Sequence, residues 1–266
     1  MVDELPFDVS GAENGGFPIV LVPGGLSGWI SWKPHADILS KDYKVVRVQL
    51  LNMAAAERNQ EPGEGYSLRR ESEALAKTLD KLSIRKVNLV GWSHGGAVSL
   101  DFALNYPDRI ETLTLIEPAA YWVARANGKF ADEEKSFRKL FSGLHDPVSE
   151  EDLIAFLRLN GLVPPGVDPR DLLRWQTWNS LKIALKSVHT VLDHADDVQR
   201  LRRLHGIPVL LVKGADSVGA NSGIVDLLSD SLSPSAKVVV LPDGHACHIV
   251  AMDQFIAEVR KHAQPS

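Results

Sequence analysis

Short apolar runs recur along the whole chain, and this recurrence constrains the possible folds more than any other feature. The runs are rich in valine, isoleucine and leucine, and most lack polar alternation, as expected of strands buried on both faces. Helical periods such as Ser67–Leu82 separate them. Because strands alternating with helices pair in parallel through right-handed crossovers, we predict a doubly wound, mostly parallel α/β sheet. The runs are Pro18–Gly25, Lys44–Leu51, Val87–Ser93, Ile110–Pro118, Ile207–Gly214 and the briefer Lys237–Pro242.

One long interval breaks this alternation. Between Ala119 and Leu204 the chain has helical patterns, over Asp132–Leu144, Glu150–Leu159 and Leu172–Val191, but no strand-like run. A helical insertion of this length between two strands predicts a cap over the carboxyl edge of the sheet. We therefore predict a core formed by residues 1–119 and 205–266 and a helical cap formed by residues 120–204.

The third apolar run ends in the sequence Gly91-Trp92-Ser93-His94-Gly95, which opens a helical period. A Gly-x-Ser-x-Gly sequence between a strand and a helix is the nucleophile elbow, in which a serine hydroxyl projects above the sheet at a helix N-terminus. The residues two before and two after the serine must be small so that they do not clash with it, and both are glycines here. This context predicts that Ser93 is a nucleophile, in preference to an ordinary loop serine.

A serine hydroxyl needs a base to accept its proton. The final strand-like run ends at Asp243-Gly244, and His245 follows at once, at the edge of the sheet where Ser93 lies. His248 is the competing candidate, but it falls in the last helical period, where we expect it to pack beneath the site. We predict that His245 is the base.

Two acids could orient the histidine. Asp216 follows the strand that ends at Gly214, and Glu117 follows the strand over Ile110–Pro118. Asp216 lies in good turn chemistry and could be only a turn former. A carboxylate such as Glu117, at the end of a buried strand, must find a partner. Both acids remain possible from the residues alone.

These pieces resemble the α/β-hydrolase superfamily over nearly the whole chain. The matching features are the first loop Val22–Gly25, the elbow, the helical insertion and Gly244–His248. In that superfamily the acid usually lies three residues after the glycine that closes the penultimate strand, but Ser217 occupies that place here. Some members carry it after the strand that follows the elbow, about two dozen residues beyond the nucleophile. Glu117 lies 24 residues beyond Ser93, so the resemblance favours Glu117 over Asp216.

The resemblance also implies an oxyanion hole made by two backbone N–H groups. One belongs to His94, after the nucleophile, and the other to the loop of the first strand. Pro23-Gly24-Gly25 stands where the family usually has His-Gly-x, which makes Gly25 the second donor. The alternative is that Gly24-Gly25 is only a tight turn.

The chain also departs from the family near its N-terminus. Two strands usually precede the first loop, but only about 17 residues do so here, so we expect a sheet shortened at that edge. Where many members have a glycine-rich aspartate–arginine turn, this chain has Met53–Ala56. These residues would line a pocket or cover the edge of the sheet.

Several other groups are candidates for a functional role. Asp193, His194, Asp196 and Asp197 could suggest a metal site, but consecutive residues on a helix diverge, so a solvated helix face is expected and no metal is predicted. Three tryptophans of the insertion could line a pocket, although such residues more often form the core of a small cap. They are Trp122, Trp175 and Trp178. Cys247 lacks an elbow and is not predicted to be a nucleophile.

Composition narrows the partners. Of the 266 residues, 44% are hydrophobic and 24% charged, as in ordinary globular proteins, and the net charge is -5. No basic excess exists to meet nucleic-acid phosphates. A single cysteine, no signal-peptide pattern and no apolar run near the roughly 18 residues of a membrane span indicate a cytoplasmic protein. A homodimer is possible.

We therefore predict a cofactor-free serine hydrolase that acts on a small-molecule ester, thioester or lactone, with Ser93, His245 and Glu117 as its triad. Other activities that the same residues would serve are those of a cofactor-independent dioxygenase or a carbon–carbon bond hydrolase. A third reading is a non-catalytic receptor that only binds a small molecule.

Overall fold

The computed structural model describes residues 4–11, 16–217 and 219–264; the outer ends of the predicted core, residues 1–3 and 265–266, lie outside this range. Seven strands form one sheet in the order β1-β3-β2-β4-β5-β6-β7. Every pairing is parallel except that of β1 with β3. The doubly wound, mostly parallel sheet is thus confirmed. The strands are β1 (Phe7–Ser10), β2 (Ile19–Val22), β3 (Val45–Val48), β4 (Val87–Trp92), β5 (Ile110–Ile116), β6 (Val209–Gly214) and β7 (Ala236–Leu241).

The central strands are buried because helices cover both faces of the sheet. In β2, Val20 and Val22 join the apolar core on one face, and Ile19 and Leu21 join the core on the other. Because both faces of such a strand contact an apolar core, apolar residues need not alternate with polar ones, which explains the apolar runs in the sequence. All six residues of β4 are buried.

The register of the sheet brings the carboxyl ends of its strands to one edge. Val22 pairs with Gly91, and Trp92 pairs with Ile116. Ile116 in turn pairs with Val212 in β6. The loops that follow β2, β4, β5, β6 and β7 therefore begin at nearly the same level, and the predicted site residues lie on these loops.

The N-terminal edge is less shortened than we expected, because one strand does precede the first apolar run. β1 pairs antiparallel with β3, with Phe7 opposite Val48. Its four residues, FDVS, are only partly buried or exposed. A short edge strand carries little apolar signal, so the pattern that revealed the buried strands could not reveal this one.

Thirteen α-helices lie in the described ranges of the chain. They are α1 (Lys33–Leu39), α2 (Leu51–Ala56), α3 (Leu68–Lys81), α4 (Ser93–Asn105), α5 (Tyr121–Ala126), α6 (Ala131–Ser142), α7 (Glu150–Leu159), α8 (Trp175–Ser180), α9 (Leu185–Val188), α10 (Thr190–Asp193), α11 (Gly219–Leu232), α12 (Cys247–Val250) and α13 (Met252–His262). Short 3-10 helices occupy Trp29–Trp32, Pro107–Arg109, Pro169–Asp171, Lys182–Ala184 and Val198–Leu204. No helix in these ranges is long and apolar enough to cross a membrane.

Residues Met53–Ala56 belong to helix α2 and are buried, and Met53 packs in the apolar core. The helix packs against the 3-10 helix Lys182–Ala184 of the insertion. The start of α2 is held by a carboxylate from α3: Glu71 accepts the N–H groups of Leu51, at 2.9 Å, and Asn52, at 3.1 Å. The start of α3 is capped separately, because the hydroxyl of Ser67 accepts the N–H of Arg70.

Between β5 and β6 every regular element is helical; all residues of this interval are described. The pattern predicted over Leu172–Val191 is broken into α8, a 3-10 turn, α9 and α10. Trp122 and Trp178 are 5% and 4% exposed and pack in the core cluster. The boundaries at residues 120 and 204 stay a prediction.

Candidate active site

Ser93 lies at the junction of β4 and α4 with a φ of 53°. This left-handed backbone is costly for a residue with a Cβ atom and persists only where the surrounding structure holds it. The strand before it and the helix after it place the hydroxyl at the carboxyl edge of the sheet, at the N-terminus of α4. The local geometry is that of the predicted elbow.

The glycines two residues before and after Ser93 lie close to other groups, which leaves no room for a side chain at either position. A Cβ atom on Gly95 would lie 2.2 Å from the carbonyl oxygen of Pro23. One on Gly91 would lie 2.3 Å from the hydroxyl of Ser99. A side chain at Gly95 would push α4 away from the end of β2, and one at Gly91 would push α4 away from β4.

Ser93, His245 and Glu117 form one continuous hydrogen-bonded chain. The Oγ atom of Ser93 lies 2.9 Å from Nε2 of His245. The other ring nitrogen, Nδ1, lies 2.7 Å from Oε2 of Glu117. His245 is 3% exposed and Glu117 is fully buried, so water does not compete for either contact. The structure brings together the three residues that the sequence singled out.

The carboxylate of Glu117 is held on both oxygens. Oε1 accepts the N–H of Gly214, at 2.7 Å, while Oε2 faces His245. Burial works to raise the pKa of Glu117, but the hydrogen bonds from His245 and Gly214 and the charge of the imidazole together hold that pKa below its usual value. The φ of Glu117 is 39°, a second strained position beside the site. The carboxylate is therefore ionised and held in a fixed position by its hydrogen bonds.

Asp216, the competing acid, does not take this position. Its side chain is exposed, and its backbone N–H donates to the carbonyl of Asp243 at 3.0 Å. Nδ1 of His245 is already occupied by Glu117.

The loop that carries His245 is anchored to the elbow itself. The indole N–H of Trp92 donates to the carbonyl of His245 at 2.9 Å. The close packing also depends on Gly214, because a Cβ atom there would lie 2.3 Å from the carbonyl oxygens of Asp243 and Gly244. Sequence reasoning did not assign these roles to Trp92 and Gly214. The pairing of a glycine at a strand end with the histidine loop could have indicated the second.

His248, the competing histidine, is fully buried in α12, with its ring 4.6 Å from that of Trp92. Burial, with the neighbouring His35, lowers the pKa of His248 well below its usual value, so it is neutral at pH 7. It packs beneath the site, behind His245.

The two amides predicted for the oxyanion hole lie on either side of Ser93. The N–H of His94 is in the first turn of α4, where backbone donors have no acceptor within the helix. Gly25 follows β2, and a Cβ atom placed on it would lie 3.7 Å from Cβ of His94. Both residues line the same pocket as Ser93. The geometry is compatible with two donors that converge on one oxygen.

The side chain of His94 enters a buried polar cluster. Its Nε2 lies 3.3 Å from the hydroxyl of Tyr66. Burial lowers the pKa of His94 to about 4, so this ring is neutral at pH 7. Nearby, burial raises the pKa of Glu71 to about 7 despite its two backbone donors. No net charge from His94 therefore disturbs the site.

A narrow pocket opens above Ser93. Its volume is about 30 Å³, room for about two waters. Its upper wall is aromatic and aliphatic and comes from the helices between β5 and β6, including Phe137, Phe141 and Phe156. Tyr121 continues this wall, with its ring 5.9 Å from that of Phe137.

The tryptophans of the insertion do not line this pocket. Trp122 and Trp178 are core residues, as the sequence favoured, and the ring of Trp175 lies under the guanidinium of Arg170 at 5.5 Å. The sequence did not single out these three phenylalanines. Phe137 and Phe141 lie four residues apart in α6 and so share one helix face, a signal that could have indicated these two but not Phe156 in α7.

One group of possible metal ligands lies away from the site. Ligand atoms of Asp101, His194 and Asp196 lie within 4.8 Å of one another. The expectation of a solvated helix face was therefore wrong for His194 and Asp196, which follow α10 and turn inward; Asp193 and Asp197 are exposed. Both carboxylates already have cationic partners. Arg69 forms a bidentate ion pair with Asp101, and Arg200 binds Asp196.

Cys247 lies near the site but is fully buried. Burial, with the charge of Glu117, raises the pKa of Cys247 to about 12. A thiol that stays protonated at pH 7 is a poor nucleophile.

Comparisons with known proteins identify the fold family of the chain. A family model described as alpha/beta hydrolase fold matches residues 18–251. The chain is 26% identical to the dihydrolipoyllysine-residue acetyltransferase component of the acetoin cleaving system of Pseudomonas putida, over 96% of this chain and 66% of that protein. It is 25% identical to the pimeloyl-(acyl-carrier protein) methyl ester esterase of Nitrosomonas europaea, over 87% of this chain and 91% of that protein.

Among solved structures, a hydrolase from Pseudomonas aeruginosa PA01 superposes with a TM-score of 0.78, at 22% identity, over 97% of this chain and 94% of that one. At this identity the likeness establishes the fold alone. This likeness and the family model, which covers most of the chain, confirm the predicted resemblance. The chain belongs to the alpha/beta hydrolase fold family.

Proposed function

We propose that this protein is a serine hydrolase that acts on a small-molecule ester, thioester or lactone. The observation that carries the proposal is the unbroken contact from Ser93 Oγ through His245 to Glu117, at 2.9 and 2.7 Å. The full-length similarity to a protein named as a methyl ester esterase supports an ester substrate.

In the proposed mechanism, Nε2 of His245 takes the proton of Ser93 as its oxygen attacks the substrate carbonyl. The bond to the leaving group then breaks, and the same proton passes from His245 to that group. A water molecule then gives a proton to His245 and attacks the acyl-serine. The bond between the acyl group and Ser93 Oγ breaks, His245 returns the proton to Oγ, and the acid is released.

Glu117 has two tasks in this sequence. Its contact with Nδ1 fixes the tautomer in which Nε2 is free to accept a proton. Its charge then stabilises the imidazolium that forms, in a site from which water is largely excluded. The lowered pKa of Glu117 keeps it ionised in the neutral pH range.

The N–H groups of Gly25 and His94 would stabilise the oxygen that becomes negative in the tetrahedral intermediate. Backbone donors suit this task because the sheet and the start of α4 fix their positions before the substrate arrives. The aromatic wall above Ser93 favours a substrate whose acyl or leaving group is apolar.

The test is turnover of a panel of short-chain esters, thioesters and lactones by the wild type and by Ser93→Ala. We expect hydrolysis of at least one class, reduced in the variant by about 10³-fold or more. A Ser93→Ala variant that turns over the same substrate at the wild-type rate would contradict the nucleophilic role.

The apolar, aromatic wall would also suit a flat heteroaromatic substrate, which keeps the cofactor-independent dioxygenase as a second candidate. In that reaction His245 and Glu117 remove a proton from a hydroxyl group, and the resulting anion reacts with oxygen without an acyl-serine. Oxygen uptake with a hydroxyquinolone, unaffected by Ser93→Ala, would favour this activity over hydrolysis.

A further inference from the structure

A second cavity lies beside the loop that follows β2, outside the Ser93 pocket. Its volume is about 340 Å³, and its lining shares no residue with that of the Ser93 pocket. Leu26 and Ser27, which directly follow Gly25, form one wall. The opposite wall comes from α8 and the residue before it, Arg174. The cavity thus lies between the sheet edge and the helical insertion.

Arg174 is the charged group of this cavity, and it has no acidic partner. Its side chain is partly buried, and within the described residues no carboxylate forms an ion pair with it. Arg170, four residues earlier, contrasts with it, because it binds Glu150 at 3.1 Å. A guanidinium withdrawn from water without an anion is unfavourable, so a ligand that supplies the anion would be stabilised here.

The other polar groups around Arg174 are neutral. His35 lines the cavity and is fully buried, with its Nε2 2.9 Å from the carbonyl of His248. That contact makes Nε2 the donor, which leaves Nδ1 as an acceptor, and Nδ1 has no partner. Ser27 and Thr177 add hydroxyl groups. One cation among neutral groups matches a ligand with a single negative charge.

The rest of the lining is apolar. Ile30 stands at the mouth with 57% of its surface exposed. Ile249, Met252 and Trp178 continue this surface inward. A ligand that covers Ile30 must carry an apolar body next to its charged group.

We propose that this cavity binds a small amphipathic carboxylic acid, with its carboxylate on Arg174 and its apolar body against Ile30 and Ile249. The planar guanidinium matches the two oxygens of a carboxylate. The site uses none of the residues assigned to hydrolysis, so it stands or falls independently of the proposed function. Because Leu26 directly follows Gly25, an acid bound here touches the same loop that supplies the proposed oxyanion donor.

The test is calorimetric titration of the full chain with hexanoate, with hexan-1-ol as the uncharged analogue and inorganic phosphate as the anion without an apolar body. Arg174→Gln removes the charge, and Arg170→Gln is the matched control on an exposed arginine. Ile30→Asp places a negative charge at the mouth, at a position where the fold tolerates exposure. Melting temperatures of all variants confirm folding.

We expect saturable hexanoate binding that weakens about tenfold or more in Arg174→Gln and in Ile30→Asp, and less than about twofold in Arg170→Gln. Binding of hexan-1-ol should not respond to Arg174→Gln. Hexanoate binding that is absent, or equal in the wild type and both cavity variants, would overturn the proposal. Phosphate binding tighter than that of hexanoate would overturn the carboxylic acid as the ligand class.

Discussion

Glu117→Gln separates the proposed acid from its competitor with a minimal change of shape. The carboxylate accepts from Gly214 N–H on one oxygen and faces His245 Nδ1 with the other. Glutamine has only one oxygen, and the Gly214 N–H requires it. The amide NH₂ group then points at Nδ1 of His245 and can only donate.

A donor at that position reverses the tautomer of His245. Nδ1 must become the acceptor, so Nε2 carries the proton and donates to Ser93 when it should accept. The same loss of tautomer in a serine-protease triad costs about 10⁴-fold in kcat. We therefore expect kcat/KM to fall by about 10³- to 10⁴-fold, equivalent to about 4–5.5 kcal/mol of transition-state stabilisation.

The assay is steady-state hydrolysis of the best ester, thioester or lactone of the panel, with Asp216→Asn as the matched control. Because Asp216 is exposed and does not contact His245, its variant should retain activity within about twofold. Full activity in Glu117→Gln, or a large loss in Asp216→Asn, would refute the assignment of the acid.

Stability in acid gives a second readout of the same variant. The pKa of Glu117 is lowered in the folded protein, so its ionisation stabilises the fold above the ordinary carboxyl pKa, and that contribution is lost as the pH falls through the folded value. The wild type should therefore lose more stability than Glu117→Gln below about pH 4.5. Urea unfolding at several pH values would show this difference.

Three further changes follow from the same structure. Gly95→Ala should destabilise the fold by about 1–3 kcal/mol in thermal unfolding and reduce activity strongly, because its Cβ atom would lie 2.2 Å from a backbone oxygen. Gly63→Ala is the control in the same experiment, because a Cβ atom on Gly63 would have no neighbouring atom within 4 Å. Because the pKa of Glu71 is raised to about 7, the folded protein holds a proton between about pH 4.5 and 7 that the unfolded chain releases. The free energy of unfolding of the wild type should therefore decline by about 1–3 kcal/mol as the pH rises across this window. Urea titrations should show no such decline in Glu71→Gln. Phe141→Ala should widen the pocket and shift the preferred substrate towards longer acyl or leaving groups, measured as the ratio of kcat/KM values; an unchanged ratio would remove Phe141 from the specificity wall.

The sheet and the elbow could be predicted because their signals are local. In β4 only Asn88 interrupts the apolar run, and the elbow sequence joins this strand to a helix. These two local features fix the position of Ser93 without knowledge of the rest of the chain. Glu117 could be placed near the elbow because the register of a parallel sheet brings strand ends together, but Asp216 also follows a strand end. The choice between the two acids came from the resemblance to the family.

What could not be predicted depends on contacts between distant segments. β1 is a four-residue edge strand whose position is set by pairing with β3, so its own composition carries little signal. Asp196 turns inward because it binds Arg200, and this places its carboxylate near Asp101 on another helix. The wall formed by Phe137 and Phe156 depends on how α6 and α7 pack, which no pattern in one segment encodes.

The most direct test of the central claim is mass spectrometry of the full chain after treatment with a fluorophosphonate probe. If Ser93 is activated by His245, the wild type should gain one adduct, mapped to the peptide that contains Ser93, and Ser93→Ala should gain none there. His245→Ala should label far more slowly, because the hydroxyl has lost its base. A folded wild type that leaves Ser93 unlabelled, or an equal rate in His245→Ala, would contradict a serine nucleophile at this site.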